Sequence, residues 1–391
     1  DEPDMTESPL IDAARKIAQD VARLHADDVD ANARFPAETI AALKSAGLLG
    51  AYVPKALGGP GASLRELCSI CEILARQCTT SSMVFAMHQI QVITLVNHAM
   101  DSDWFRGYLS DLVTHQYLIA SVTSEVGVGG EMRTSRCAVE SDGKAFTLVK
   151  DATTISYGAQ ADDLLVSARK DPQASGNDQV LVLVRKADYE LVKKGVWNSM
   201  GMRGTCSPPF LMTSKGVIDQ VMTVPFSEMA AQTVVPVSHL LWAHTWTGNV
   251  AAASNKAAAF VRGQARANPG TVPPTAVRLA ELSSKLQSLR TSVNDCLSEY
   301  EALTEKGAGG AEVLASVVYA IKINNLKIDA SQDLPEIVGM ALRICGILGY
   351  KNDSPFAMSR HLRDAYSAIL MVGNDRMYAT NANLLLVVKD F

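Results

Sequence analysis

The stretch that decides the fold is residues 117–131, which read Tyr-Leu-Ile-Ala-Ser-Val-Thr-Ser-Glu-Val-Gly-Val-Gly-Gly-Glu. The first six residues form a short apolar run with β-branched side chains, and a glycine-rich loop (residues 125–131) follows soon after. An apolar run of this length next to glycines is typical of a β-strand that ends in a loop. The stretch therefore predicts that a β region begins near residue 117.

The residues before this stretch have the periodicity of helices. Apolar side chains recur three and four residues apart at Leu10, Ala14, Ile17, Val21 and Leu24, which gives one apolar stripe. Helical patterns follow at residues 39–46, 63–77 and 81–100. We therefore expect an N-terminal α-helical domain over residues 1–117.

Further short runs rich in β-branched residues occur at residues 145–149, 164–167, 180–184 and 221–224. Turn-forming residues separate these runs, which favours an antiparallel β domain with hairpins over alternating βαβ units. No dinucleotide-binding fingerprint opens a helix here, and this disfavours a Rossmann fold. We expect the middle β domain to span residues 118–234.

Helical periodicity returns after the β region, at residues 239–266, 277–304, 310–330, 334–348 and 379–388. Long helices with short breaks between them are typical of an antiparallel bundle. The sequence therefore predicts an α+β multidomain protein that ends in a four-helix bundle over residues 235–391.

Composition excludes several classes of partner. The chain has 391 residues, with 36 Lys and Arg against 41 Asp and Glu, so its formal net charge is −5. This charge gives no footprint for nucleic acid or for an anionic membrane. No apolar run is long enough to span a membrane, and the start, Asp1-Glu2-Pro3-Asp4, does not resemble a secretory leader. We expect a cytoplasmic enzyme.

The seven cysteines do not indicate a disulfide scaffold or a metal site. Cys68 and Cys71 form a Cys-x-x-Cys pair, but a zinc site would need a second pair at ligand spacing. Since these cysteines lie in an apolar helical pattern, we expect them to pack in the core.

Three loops have residues suited to a polar ligand. The glycine-rich loop could present backbone amides to an anion. Residues 154–159, Thr-Ile-Ser-Tyr-Gly-Ala, carry two hydroxyl groups, and residues 201–205, Gly-Met-Arg-Gly-Thr, form a turn with a cation inside it. Each segment alone is also compatible with an ordinary turn.

Taken in order, these segments resemble motifs of the acyl-CoA dehydrogenase family of flavoproteins. The resemblance runs from about residue 10 to residue 388. It is carried by residues 47–54, 58–61, 124–131, 154–159, 201–205, 266–270, 343–350 and 363–365. It implies bound FAD and a homotetramer, or at least a dimer.

The resemblance also implies the flavin contacts. Thr123 and Ser124 would face the pyrimidine edge, Ser156 would bond flavin N5, and Thr154 replaces a Trp that shields the ring. Gly130 stands where the family has a Ser that bonds the pyrophosphate. The remaining cofactor-binding residues implied are Gly129, Arg266, Arg343, Gly346 and Asn374, with Arg266 and Arg343 reaching the FAD of a neighbouring subunit.

The usual catalytic base is missing. The family's Glu after the Arg-Asp-Ala motif corresponds to Val372, and the alternative base position corresponds to Leu240. Asp375 and His244, each about one helical turn from one of these positions, are candidate catalytic residues. Met83, Met87 and His88 would line the substrate pocket, although such side chains also occur in ordinary cores.

Three functions therefore stay open. The chain could be an FAD-dependent acyl-thioester dehydrogenase with a displaced base, or a flavin monooxygenase of the same fold, which needs no such base. It could also be a non-catalytic FAD-binding subunit. The substrate would be an acyl-CoA or another apolar small molecule, and a flavin reductase or electron-transfer protein could be a partner.

Overall fold

Along the chain, helices precede and follow two β-sheets in the computed structural model, which describes residues 8–389. The acidic residues 1–4 lie outside the described residues. The order of helices, then strands, then long helices confirms the fold class expected from the sequence.

The N-terminal helices are held by local caps and by burial. Ser63 and Glu66 form a capping box at the start of one of them, so that both exchange hydrogen bonds with backbone N–H groups. The helices are α1 (Pro9–Ile17), α2 (Arg23–Ala31), α3 (Ala37–Ser45), α4 (Leu64–Ala75), α5 (Thr79–His98) and α6 (Asp103–His115). Helix α5 is buried on nearly all sides, as its all-round apolar pattern predicts.

Seven strands form the middle region in two sheets. They are β1 (Ile119–Val122), β2 (Glu140–Ser141), β3 (Ala145–Ala152), β4 (Asp163–Arg169), β5 (Gln179–Val184), β6 (Tyr189–Lys193) and β7 (Phe210–Val217). The first sheet has the order β1-β4-β5, and the second has the order β2-β3-β7-β6. Strands β4 and β5 are buried along almost their whole length, which places the first sheet inside the molecule.

Two expectations for the β region were wrong. Strands β1 and β4 pair in parallel, whereas the sequence predicts only antiparallel pairs. The connection between them is long enough to pass through the second sheet, so the chain can return in the same direction. Residues 221–224 form no strand, and only an isolated bridge joins Val182 and Val221.

The C-terminal helices begin with a short helix that runs through a π-helical turn into the longest one. They are α7 (Phe226–Met229), α8 (Val235–Ala267), α9 (Thr275–Glu305), α10 (Ala308–Leu314), α11 (Val317–Cys345), α12 (Ile347–Tyr350), α13 (Ser359–Ser367) and α14 (Asn374–Leu385). The sequence predicts two helices where α11 is continuous through Pro335. Apolar residues on both sides of Pro335 are buried, so packing outweighs the lost backbone hydrogen bond.

Helix α8 joins the two helical regions. Gly248 lies so close to α4 that a Cβ atom on it would be 2.5 Å from the carbonyl oxygen of Glu72. Ser82 of α5 hydrogen-bonds Thr245 of α8 across 2.8 Å. Among the described helices, none combines the length and the apolar character that a membrane crossing requires.

Candidate functional site

The glycine-rich loop is closed at its base by a buried carboxylate. The backbone N–H groups of Arg136 and Cys137 donate to the two Glu125 oxygens at 3.0 and 2.7 Å. Gly127, Gly129 and Gly130 all have positive φ values, between 62° and 87°, which a side chain would resist. The three glycines and the Glu125 hydrogen bonds therefore stabilise a tight loop that begins soon after the end of β1.

The tip of this loop offers unpaired donors. Within residues 8–389, the backbone N–H groups of residues 127–130 have no hydrogen-bond acceptor. The Arg136 guanidinium lies against Gly127, and the Arg376 guanidinium lies against Gly130. Arg376 also donates a hydrogen bond to the carbonyl oxygen of Gly129. The loop thus combines free amides with two cations, a setting that suits a phosphate.

The segment after β3 joins the glycine-rich loop directly. The Ser124 hydroxyl donates to the carbonyl oxygen of Thr154 at 2.7 Å, and the Thr154 N–H donates to Ser124 Oγ at 3.1 Å. Beneath them, the buried Lys150 ammonium donates to the Thr123 carbonyl oxygen at 3.4 Å and to the Ser167 carbonyl oxygen at 2.6 Å. Burial lowers the pKa of Lys150. These contacts bring Thr123, Ser124 and Thr154 together, as the resemblance implies.

Ser156 is the end of a chain of hydroxyl groups. Ser207 Oγ donates to Ser156 Oγ at 2.8 Å, and Ser207 lies 2.9 Å from Thr205 Oγ1. Thr205 in turn donates to the carbonyl oxygen of Met202 at 3.0 Å. Because Ser156 Oγ accepts from Ser207, its own proton is free to donate to a ligand.

The turn at residues 201–205 is held by α13. The Met202 N–H donates to Asp364 Oδ1 at 2.7 Å. Burial raises the pKa of Asp364 to about 6, against the opposing effects of this hydrogen bond and of Arg360. Two segments that carry the resemblance, 201–205 and 363–365, are therefore in contact.

Strained backbone occurs in and near the same segments. Of the non-glycine residues with positive φ in the described chain, Tyr157 and Met202 lie in these segments, Cys206 directly follows one, and Val372 lies seven residues after another. Such conformations persist only where the surroundings hold them, and they are frequent at functional sites. For Val372, which is β-branched and has a φ of 50°, the conformation is a strong outlier.

A buried lysine holds the loop around Val372. Lys327 Nζ donates to the Val372 carbonyl oxygen at 3.1 Å and to Asn374 Oδ1 at 2.7 Å. Burial lowers the pKa of Lys327 to about 8. The Asn374 amide also donates to Ser331 Oγ at 2.9 Å. Asn374 therefore uses its side chain within the protein.

The candidate catalytic residues have different environments. Asp375 is exposed in the first turn of α14, and no cation pairs with it among residues 8–389. His244 is buried on α8, and neither ring nitrogen has a hydrogen-bond partner. Burial lowers the pKa of His244 to about 4. Leu240, at the alternative base position, is fully buried. No described hydrogen bond brings Asp375 and His244 together.

The three predicted pocket residues lie on α5. Met83 is buried and Met87 is half-buried. His88 is bonded at both nitrogens, since Nε2–H donates to the Leu49 carbonyl oxygen at 2.7 Å and Nδ1 accepts from the Ile119 N–H at 3.0 Å. Burial lowers the pKa of His88 to about 4. These bonds leave the His88 ring no free nitrogen for a substrate.

The residues expected to reach a neighbouring subunit are on the surface. Arg266 and Arg343 are exposed, near the C-terminal ends of α8 and α11, and Gly346 follows with a φ of 56°. No hydrogen bond or ion pair between the described residues joins either arginine to the glycine-rich loop. Both side chains are therefore available to a second copy of the chain.

Sequence reasoning missed several residues of this site, above all Arg376, Ser207, Thr205 and Lys327. Arg376 lies two positions after Asn374, and Ser207 two after the 201–205 turn. A cation or a hydroxyl group two positions from a motif residue is only weak evidence, in the sequence, that this residue belongs to the site. In the described part of the chain, no three His, Cys, Asp or Glu side chains converge on a point where a metal ion could bind.

The geometry fits a flavin nucleotide. The free amides and the two guanidinium groups suit its phosphate, and the hydroxyls of Ser124, Thr154 and Ser156 lie nearby on the segment joined to the loop. The loop amides, which have no acceptor within residues 8–389, are suited to the phosphate end of the cofactor.

Comparisons with known proteins agree with the fold described above. Residues 5–116 match the model of the acyl-CoA dehydrogenase N-terminal domain. The probable acyl-CoA dehydrogenase FadE25 of Mycobacterium tuberculosis is 23% identical over 370 residues, which cover 93% of this chain and 91% of FadE25.

Two solved structures share the whole fold. Butyryl-CoA dehydrogenase of Megasphaera elsdenii superimposes with a TM-score of 0.76 at 18% identity and covers 98% of this chain and 100% of its own. FMN-bound TdsC of Paenibacillus sp. A11-2, a dibenzothiophene monooxygenase, superimposes with a TM-score of 0.82 at 19% identity over 97% of both chains. These similarities show that the chain has the fold of the acyl-CoA dehydrogenases and that its N-terminal domain matches the model of that family.

Proposed function

We propose that the chain is an FAD-dependent oxidoreductase that dehydrogenates an acyl thioester between its α and β carbons. The observation that carries this proposal is the direct contact between Ser124 and Thr154. It joins the two segments that, by resemblance, contact the flavin. The FadE25 relative, which matches 93% of the chain, supports the same reaction class.

The chain's own residues would bind and orient the cofactor. The loop amides and Arg376 would bind the phosphate end, and Ser156 would donate its hydroxyl proton to the ring. Arg266 and Arg343 would serve the cofactor of a second copy, because both are exposed. Bound flavin would accept the two electrons that leave the substrate.

Asp375 would take the α-proton. It is the only carboxylate in residues 371–377, and within residues 8–389 no ion pair occupies it. In contrast, the surroundings of His244 leave it buried against α4, where Glu72 and Arg65 are the nearest charges.

The test is anaerobic titration of the flavin-loaded protein with a panel of acyl-CoA thioesters. At least one thioester should remove the flavin absorbance and give the enoyl product. Asp375→Asn should slow this reduction by about 100-fold or more, because a positioned base contributes roughly 10²- to 10⁴-fold. Flavin content should not change, since the substitution leaves the loop intact.

Asp353→Asn is the matched control, because Asp353 is an exposed carboxylate paired only with Lys351. Its rate should equal that of the unmodified protein. If the bound flavin stays oxidised with every thioester, dehydrogenation is excluded. If Asp375→Asn reduces normally, Asp375 is not the base.

A monooxygenase is the second candidate, and one observation favours it. Both positions that carry the base in the family hold apolar residues, Val372 and Leu240, and Lys327 ties the Val372 backbone in place. The same fold occurs in the monooxygenase TdsC. Reduced protein mixed with oxygen and an aromatic or heterocyclic substrate should then form an oxygenated product.

The remaining alternative is a non-catalytic FAD-binding subunit that depends on a second protein. Turnover of any substrate by the purified chain would exclude it. A flavin reductase would be needed as partner for the monooxygenase, and an electron-transfer protein for the dehydrogenase. The seven cysteines are free thiols, which is in keeping with a cytoplasmic location.

A further inference from the structure

Arg376 and the glycine-rich loop fit each other closely, although 246 positions separate Arg376 from Gly130. A Cβ atom on Gly130 would lie 2.7 Å from Arg376 Nη1 and 3.4 Å from its Cζ. The guanidinium therefore occupies the space that any side chain at position 130 would take. Its bond to the Gly129 carbonyl oxygen fixes it there.

The charge of Arg376 is not neutralised by an ion pair. Among residues 8–389, no carboxylate oxygen lies within 4 Å of its nitrogen atoms. The nearby Glu131 is engaged by Arg133, whose Nε donates to it at 3.1 Å. Burial opposes ionisation of Glu131, but the hydrogen bonds from Arg133 and the charge of Arg376 lower its pKa overall. Arg376 thus keeps donors for an anion.

The loop amides point to the same kind of ligand. The N–H groups of Gly127, Val128, Gly129 and Gly130 have no acceptor in the described chain. Consecutive free amides at positive-φ glycines form a concave donor surface that binds oxyanions. A cation beside such a surface adds charge-assisted hydrogen bonds.

We propose that Arg376 binds the phosphate of the flavin nucleotide from within the same chain. Gly130 makes room for this guanidinium, which supplies the donor that a Ser hydroxyl supplies elsewhere in the family. The inference rests on the proposed flavin binding. Arg376 would bind the phosphate of the flavin held by its own chain, whereas Arg266 and Arg343 would reach the flavin held by a neighbouring chain.

The first experiment compares three flavins on the full-length protein after removal of bound cofactor. Affinities for FAD, FMN and riboflavin are measured by quenching of flavin fluorescence. Arg376→Ala should weaken the binding of FAD and of FMN by roughly 10- to 100-fold, because a hydrogen bond to a charged group is lost. Riboflavin lacks the phosphate, so its affinity should change by less than about twofold.

Arg133→Ala is the matched control, since it removes a nearby cation, two residues after the loop, that is already paired with Glu131. It should leave all three affinities nearly unchanged. If Arg376→Ala weakens the binding of FAD but not that of FMN, Arg376 still contacts the cofactor, and its partner is the phosphate on the adenosine side. Equal weakening of riboflavin, or unchanged FAD and FMN, would overturn the inference. If the unmodified protein binds no flavin, the proposed function itself fails.

The second experiment tests the steric match between Gly130 and Arg376. Gly130→Ser should lower the affinity for FMN in the otherwise unmodified protein. It should lower this affinity less in the Arg376→Ala variant, because the clash with the guanidinium is then absent. Gly129→Ser is the control for backbone strain, because Gly129 also has a positive φ but its Cβ would meet nothing within 4 Å. Its effect should be the same in both backgrounds. Equal losses for Gly130→Ser in both backgrounds would contradict the match.

Discussion

Asp364 is a buried carboxyl group whose ionisation should be visible in stability. Burial raises its pKa to about 6, from the value of 3.8 that is usual for an aspartate in an unfolded chain. Between these values the folded protein binds more protons than the unfolded chain. The contribution of Asp364 to stability is therefore full below pH 3.8 and is lost as the pH rises through 6.

Asp364→Asn should remove this dependence while keeping an acceptor for the Met202 N–H. The variant should gain roughly 2–3 kcal/mol relative to the unmodified protein between pH 3.5 and pH 7. Unfolding in urea at a series of pH values measures the difference. The exposed Asp353→Asn serves as the control and should give a flat difference. A flat difference for Asp364→Asn would show that burial does not set its ionisation.

At the residue scale, the sequence predicted the segments of the site better than its contacts. The motifs identified Ser124, Thr154 and Ser156 as candidates, and the structure joins Ser124 to Thr154 by a hydrogen bond. Arg376 could not, since it meets Gly130 only through the packing of α14 on the loop. The substitution to Gly at position 130 was visible in the sequence, but the guanidinium that fills the space was not.

At the scale of elements, the crossing of α8 and α4 depends on Gly248. Its Cβ position lies 2.5 Å from the Glu72 carbonyl oxygen and 2.7 Å from Ala75 Cβ. Gly248→Ala should therefore lower the free energy of unfolding by about 1–3 kcal/mol, because the two backbones must separate. The midpoint of urea unfolding measures the change.

Gly263 is the matched control in the same helix. A Cβ atom there would meet nothing within 4 Å, and the backbone is helical. Gly263→Ala should raise the free energy of unfolding by about 0.5–1 kcal/mol, since alanine is the better helix former. Equal shifts for the two variants would mean that the helix crossing does not require a glycine.

Element prediction failed where tertiary packing decided the outcome. Periodicity identified most of the helices, yet it predicts a break at residues 331–333 that α11 does not have. The sequence analysis also missed helix α6 and strands β6 and β7, although α6 has 13 residues and β7 has 8. The parallel pairing of β1 with β4 depends on the path of a long connection, which local patterns do not record.

At the scale of the whole molecule, the C-terminal region exposes apolar side chains beside its arginines. Ile347, Tyr350 and Leu370 have exposed fractions of 70%, 76% and 77%. Ile347 and Tyr350 lie four and seven residues after Arg343, which is itself exposed and forms no ion pair within residues 8–389. An assembly of identical chains would cover this area and bring Arg343 to a neighbouring flavin.

Native mass spectrometry of the purified protein tests the central claim most directly, because it counts chains and cofactors together. Our account predicts an assembly of two or four chains that carries one flavin nucleotide per chain. A single chain that carries no flavin, even after incubation with FAD and FMN, would contradict it.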